Sequence, residues 1–275
     1  MISQPTSRVH AQLPDAQSQV KPVALFAATR WELAALRRAL PIDRQEDVGG
    51  VRCLIGERDG HPYWLIRTGV GPEAARAAAS IVLSRQPMVL AISTGFAGAL
   101  MPVAIGDLII GTTTSSATYE GLWKTGSDSV MCDRVVQVFV QSVAAEIGLA
   151  ARIGSIVSVA EIVYRAVDKE VLGRLTGAVA LDMESAALGL VAQERAVPFM
   201  VVRTVSDLIG EDLPLDFNLF LRPSGWLSGV KELMKHPSSL VGLNRLRQQS
   251  RLAADHLTTV FSALAARGFG LSHAT

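Results

Sequence analysis

The stretch VALDMESAAL (179–188) sets two carboxylates, Asp182 and Glu184, on either side of Met183, where an apolar strand gives way to a helix-forming run. Acids at such a junction can take up protons or hold hydroxyl groups, because ligands of α/β sheets settle beyond the carboxyl ends of the strands. Two more acids stand in comparable places: Glu32 after VALFAATRW, and Asp207 after Ser206 at the end of VVRTVSD. Two glycine-bearing stretches, RTGVG (67–71) and STGFAG (93–98), read as loops that could turn backbone N–H groups toward an oxygen-rich ligand. Each piece also has a plainer reading. TGxG and TGxxG are common in tight turns, and Ser206 or Asp207 could cap a helix. Glu184 or Glu32 could be a solvated first-turn residue favoured by the helix dipole, and Met183 could be ordinary core packing.

The elements that would position these groups alternate. PVALFAA (22–28) reads as a buried strand, followed by the helical RWELAALRRAL, stopped by Pro41. Residues 51–69 read as a hairpin turning at Asp59-Gly60, and a helix opens at Pro72. MVLAISTG is apolar throughout, as inside a parallel sheet. GDLIIGTTTSSATY reads as a strand, and CDRVVQVFVQSVAAEIGL as a helix closed by Gly148. RIGSIVSVAEIV reads as one long strand or a pair. ALDME ends a further strand, SAALGLVAQERA is a helix, and PFMVVRTVSD is the last core strand. The alternation predicts an α/β fold: a single domain with a central mixed, mostly parallel sheet flanked by helices, plus a C-terminal helical extension. The boundaries are a disordered N-terminal arm (1–20), the α/β domain (21–212) and the extension (213–275).

Composition narrows the function. A formal net charge of +1 over 275 residues gives no reason to expect a nucleic-acid partner. Cys53 and Cys132 lie far apart outside any metal-binding spacing, so neither a metal site nor a disulfide framework is expected, and no cofactor. A reducing, cytoplasmic location is the default. The first twenty residues lack the apolar core of a signal peptide, and no apolar run is long enough to span a bilayer. The 49% hydrophobic content and mean hydropathy of +0.31 must go into buried sheet, a subunit interface or a membrane contact.

Taken in order, VALFAATRWELAAL, RTGVGPEAARAAA, STGFAGAL with IGDLII, VALDMESAAL and VPFMVVRTVSD resemble the purine nucleoside phosphorylase and uridine phosphorylase superfamily. Within it the chain resembles the methylthioadenosine/S-adenosylhomocysteine nucleosidase branch over residues 22 to 208. The resemblance implies an enzyme that breaks the bond between a purine and a ribose-like sugar. It gives Asp207 the role of general acid toward the leaving base, and Glu184 that of a bidentate acceptor for two ribose hydroxyls. Met183 would pack under the sugar, Asp182 would support the site, and Glu32 would orient or activate the attacking water. Thr94, Gly95, Phe96, Ile162, Arg203 and Ser206 complete the implied substrate surface. Gly69, Gly71, Arg30 and Arg67 are left to a phosphate or water loop.

Departures from the family pattern matter. Ser93 stands where phosphorylases carry a phosphate-holding Arg, which favours water over phosphate, although phosphorolysis and a non-catalytic nucleoside-binding role stay open. Phe96 and Ile162 stand where methylthioadenosine enzymes have a Ser and a stacking Phe. SIVSVAEIV, LTGAVALDMESAA and the tail beginning DLPLDFN look more like the hopanoid-associated branch, which acts on an apolar lipid nucleoside, adenosylhopane.

The tail, helical from Val230 to Arg267, carries Lys231, Lys235, Arg245, Arg247 and Arg251 against Glu232. Leu233, Met234, Leu240, Val241, Leu243 and Leu246 stand beside them. Such a helix can lie on an anionic membrane, or pack on the core or a second subunit. The expected partners are therefore a nucleoside, a second copy in a homo-oligomer (dimer or larger), and a peripheral contact at the inner membrane surface.

Overall fold

The computed structural model describes residues 20–213 and 239–271. The N-terminal arm up to residue 19, most of the DLPLDFN stretch, and Lys231, Glu232, Leu233, Met234 and Lys235 lie outside the described residues.

Among the described residues ten strands form one mixed sheet. Apolar β1 (Val23–Ala27) runs parallel to β4 (His61–Arg67) on one side and β5 (Leu90–Ala99) on the other. β3 (Val51–Arg58) joins β4 as the expected hairpin, and Asp59 and Gly60 both take positive φ at its turn. β2 (Arg44–Val48) extends that margin antiparallel to β3. On the other side the sheet closes on itself. β5 also pairs with β10 (Phe199–Asp207), β10 with β6 (Leu108–Tyr119), β6 with β8 (Ala151–Val159), β8 with β9 (Ala180–Asp182), and β9 returns to β5. β7 (Trp123–Met131) hangs on β6. This is the mixed, helix-flanked sheet that the alternation predicts, and within it β5, ten residues long, is shared by three partners and turns half the sheet into a ring.

Among the described residues the α-helices are α1 (Arg30–Ala39), α2 (Pro72–Arg85), α3 (Arg134–Glu146), α4 (Ala166–Thr176), α5 (Ser185–Glu194) and α6 (Ser239–Ala265). Pro72 opens α2, and Gly177, in the left-handed conformation, ends α4. β2 and β7 are mostly exposed and carry no apolar alternation, so a reading based on hydrophobic spacing passes over them. α4 has apolar residues at helical spacing, Val167, Val171 and Leu175, but they face outward and the helix buries only Lys169 and Leu172. RIGSIVSVAEIV resolves to the single strand β8, and residues 160–165 leave the sheet.

The described half of the tail is a packing element. Ala253, Leu257, Val260, Phe261, Leu264 and Ala265 are buried, and α6 lies against α1 and β10. Its apolar stripe there covers the core, and Arg247 and Arg251 stay exposed.

Candidate active site

The strand ends gather three buried carboxylates around one buried guanidinium. Arg203, on β10, is 1% exposed. Its Nε lies 2.8 Å from Asp182 Oδ2, 3.5 Å separate Nη2 from Glu184 Oε2, and 3.9 Å separate Nη1 from Glu32 Oε1. The Asp182 contact is Coulombic, since Nε–H lacks a hydrogen-bond partner among the described residues. Nη1 donates to Phe96 O at 3.1 Å, and Nη2 donates to Ser93 Oγ at 2.9 Å and Ser185 Oγ at 3.2 Å. Burial works against the Arg203 charge. Asp182, Glu184 and Glu32 outweigh it and hold the guanidinium above its ordinary value.

Each acid reaches the cluster by a different local device. Glu32 closes a capping box at the start of α1: its Oε2 accepts from Thr29 N at 2.7 Å and Thr29 Oγ1 at 2.9 Å, while its own N–H donates to Thr29 Oγ1. That fixes the side chain so that Oε1 accepts from Phe96 N at 2.8 Å. Glu32 is buried, so the cap and the cluster are one feature and the solvated first-turn reading does not hold. Glu184 is the N-cap residue of α5 but makes no side-chain cap. Its carboxylate turns away to accept Gly71 N–H at 2.9 Å. Asp182 does the capping, accepting from Ser185 N at 3.2 Å and from the Ser158 and Ser185 hydroxyls. Burial, with Asp182 and Glu32 adding to it against the opposing pull of Arg203, raises the Glu184 carboxyl to about 7.

STGFAG is not a loop. It lies inside β5, and its two glycines each face a carboxylate. A Cβ on Gly95, where φ is +138°, would sit 2.1 Å from Glu32 Oε1. One on Gly98 would sit 3.0 Å from Asp207 Oδ1. The glycines therefore let side chains lie against the strand, and the expectation that this stretch offers N–H groups as an oxyanion loop is corrected to that extent. The Phe96 N–H is already taken by Glu32. RTGVG is a loop as expected: Gly69 and Gly71 both take positive φ, and the Gly71 N–H serves Glu184.

Asp207 stands at the end of β10 just past a bulge. Val205 pairs with Ala97 and Asp207 with Gly98, so Ser206 is the extra residue. Bulges of this kind re-aim a side chain beside active sites. Ser206 Oγ lies 3.1 Å from Asp207 Oδ2 and 3.4 Å from Ala97 O. Oδ1 accepts from Lys169 Nζ at 2.5 Å. Sequence reasoning missed Lys169. No spacing marked it, because the apolar stripe of its helix, Val167, Val171 and Leu175, lies on the exposed side.

The remaining candidates divide. Met183 is half-buried between the two acids. Thr94 is fully buried and its hydroxyl lacks a partner among the described residues. Ile162 lines a cavity of about 570 Å³ with Tyr119, Trp123, Val159, Val163 and Tyr164. Val159 directly follows Ser158, the serine bound to Asp182, but neither Arg203 nor the acids around it line this cavity. Arg30 and Arg67 are not drawn in. Arg30 is exposed and its guanidinium sits 4.7 Å from the Trp31 ring, and Arg67 faces a separate cavity with Arg37 and Arg52. Among the described residues no group of three or more His, Cys, Asp or Glu side chains could hold a metal ion.

Known proteins resemble this chain in sequence and in fold. A nucleosidase of Shewanella loihica named 5′-methylthioadenosine/S-adenosylhomocysteine nucleosidase is 26% identical over 227 residues, covering 78% of this chain and 99% of its own. The same-named protein of Geobacillus thermodenitrificans is 26% identical over 229 residues, covering 79% and 93%. The same-named enzyme of Neisseria meningitidis, solved with methylthio-immucillin-A, superposes with a TM-score of 0.70 at 20% identity, covering 90% of this chain and all of that one. Futalosine hydrolase of Helicobacter pylori gives 0.66 at 18% identity, covering 88% and 97%. The family model described as Phosphorylase superfamily matches residues 22–222, most of the chain and every residue of the cluster, and the chain belongs to that superfamily.

Proposed function

We propose that the chain hydrolyses the N-glycosidic bond of a purine nucleoside and releases the free base. The observation that carries this reading is the charge balance of the cluster: three carboxylates face one guanidinium, and that guanidinium is engaged by all three. A phosphate dianion normally needs an available arginine, whereas a neutral water needs only a carboxylate acceptor. The names of the relatives support the same chemistry.

In this reading Glu184 accepts the ribose hydroxyls, a bond that strengthens as the sugar becomes cationic. Glu32 is held by Thr29 and Phe96 and keeps lone-pair capacity on Oε1 for the attacking water. Asp207 passes a proton to the base while the C–N bond breaks and the electron pair leaves with the base. Met183 and Arg203 hold the sugar side, the latter by fixing the acids. The cavity at Ile162 and Trp123, whose lining mixes these apolar side chains with Glu120, Glu161, Arg165 and Asp168, is the space a bulky 5′ substituent of the adenosylhopane type would take. Leu122, Met131 and Val135, each more than two-thirds exposed, support a homo-oligomer.

The test is incubation of the full chain with adenosine, 5′-methylthioadenosine and S-adenosylhomocysteine, with and without phosphate. Free base with free sugar, unaffected by phosphate, is the expected result. A sugar 1-phosphate would establish phosphorolysis, and binding without turnover would establish a nucleoside-binding protein.

A further inference from the structure

Lys169 is wholly inaccessible to solvent, on the inner side of a helix that exposes Val167, Val171 and Leu175 beside Glu170 and Arg174. Burying an ammonium is costly unless it is paired and hydrogen-bonded. Here Nζ donates to Asp207 Oδ1 at 2.5 Å, to Leu208 O at 3.0 Å and to Glu211 O at 3.3 Å. An ammonium has three donors and no acceptor, so the cage is complete.

The cage is itself tied down. Ala166 N–H donates to Asp212 Oδ1 at 2.7 Å and Leu213 N–H to Tyr164 O at 2.8 Å, which fastens the segment after β10 to the start of α4. The other charges nearby have partners of their own. The Glu211 carboxylate accepts from Arg245 and from Gln249 on α6, and Asp168 pairs with Arg165. Among the described residues Asp207 is thus the one carboxylate that Lys169 touches.

We propose that Lys169 is a positioning residue for the acid: its ammonium fixes Oδ1 of Asp207, leaves Oδ2 as the oxygen that carries the proton, and stabilises the carboxylate left when that proton goes to the base. This rests on the reading of Asp207 as general acid. The serine beside it suits the cycle. Ser206 Oγ has one proton and two acceptors in range, so it can turn to Ala97 O while Oδ2 is protonated and back to Oδ2 once the carboxylate forms. In the step, the proton leaves Oδ2 for a purine nitrogen, the glycosidic electron pair goes to the base, and water oxygen bonds to the anomeric carbon while the proton it sheds passes to Glu32 and on to solvent. Asp207 then regains a proton from solvent.

The experiment compares Lys169→Met, Lys169→Arg and Asp207→Asn in the full chain. The probes are a purine nucleoside it cleaves and 4-nitrophenyl β-D-ribofuranoside, whose nitrophenolate departs without a proton. For Lys169→Met, kcat on the purine nucleoside should fall roughly 10- to 100-fold, part of the acid's full effect, with KM little changed and nitrophenyl turnover spared. Lys169→Arg should recover part of the loss. The falling alkaline limb of the kcat profile should move to higher pH in Lys169→Met, because a fixed positive charge no longer favours the carboxylate. That shift decides the matter if the riboside is not cleaved, and Lys169→Gln stands in if the Met variant does not fold. Equal loss on both probes, or an unmoved limb, makes Lys169 a packing residue and overturns the proposal. If Asp207→Asn spares neither probe or slows neither, the acid reading fails first. If it is selective and Lys169→Met is not, only the lysine's role fails. A full chain that releases no base from any of the three nucleosides overturns both.

Discussion

At the scale of single residues, the unusual group is Glu184. Its carboxyl keeps a proton up to about 7 against an ordinary 4.5, chiefly because it is buried. The folded chain therefore holds that proton more tightly than the unfolded chain. The corresponding stability is full below pH 4.5 and is lost as pH rises toward 7. The shift corresponds to roughly 3 kcal/mol, so urea unfolding at about pH 5 and about pH 8 should differ by that order, and Glu184→Gln should flatten the difference. A ribose hydroxyl needs the ionised acceptor, so kcat/KM should climb over the same interval in the unaltered chain. An unchanged pH slope of stability in the Gln variant would move the effect to another group. Asp207→Asn keeps the shape of the side chain and removes the proton, so kcat on a purine nucleoside should fall about 10²- to 10⁴-fold with binding largely retained. Removal of Glu184 should harm ribonucleosides more than 2′-deoxyribonucleosides, and steady-state kinetics on the pair would show it.

At the scale of elements, β5 is where sheet and site constrain each other. The strand takes β1, β10 and β9 as partners in turn, and the glycines at its end leave room for Glu32 and Asp207. Gly95→Ala would set a methyl 2.1 Å from Glu32 Oε1 at a φ that side chains rarely adopt. It should destabilise the fold by about 1–3 kcal/mol and lower kcat, because Glu32 must move and takes the Phe96 hydrogen bond with it. Chemical denaturation and kinetics on the same preparation would check both. A neutral Gly95→Ala would mean that the carboxylate has room elsewhere. α6 belongs to the same argument. Phe261 is fully buried in the contact with the core, so Phe261→Ala should cost about 3–5 kcal/mol.

At the scale of the whole molecule, the described half of the tail packs on the core, and no described helix is long and apolar enough to cross a membrane. A peripheral contact would then be carried by exposed Arg247 and Arg251 together with the lysines at 231 and 235. At about 1 kcal/mol per charge this gives reversible binding to anionic liposomes that fades with salt. Co-sedimentation with anionic and neutral vesicles measures it, and equal recovery with both would remove the membrane from the reading. The family and the strand–helix alternation were legible in the sequence, because apolar period and cap residues act over a few positions and VALDMESAAL with VVRTVSD carries the site's acids in order. The exposed strands β2 and β7 were not legible, since little hydrophobic pattern marks them, nor was the helix α4, whose apolar Val167, Val171 and Leu175 face away from the core. Two features of the site were decided only in three dimensions. STGFAG became strand rather than loop because β10 and β9 pair along it, and Lys169 met Asp207, 38 residues away, because the segment after β10 folds back over α4. Local sequence fixes which residues prefer a helix or a strand. Which buried charge faces which is set by strand pairing across the ring, and no spacing along the chain encodes it.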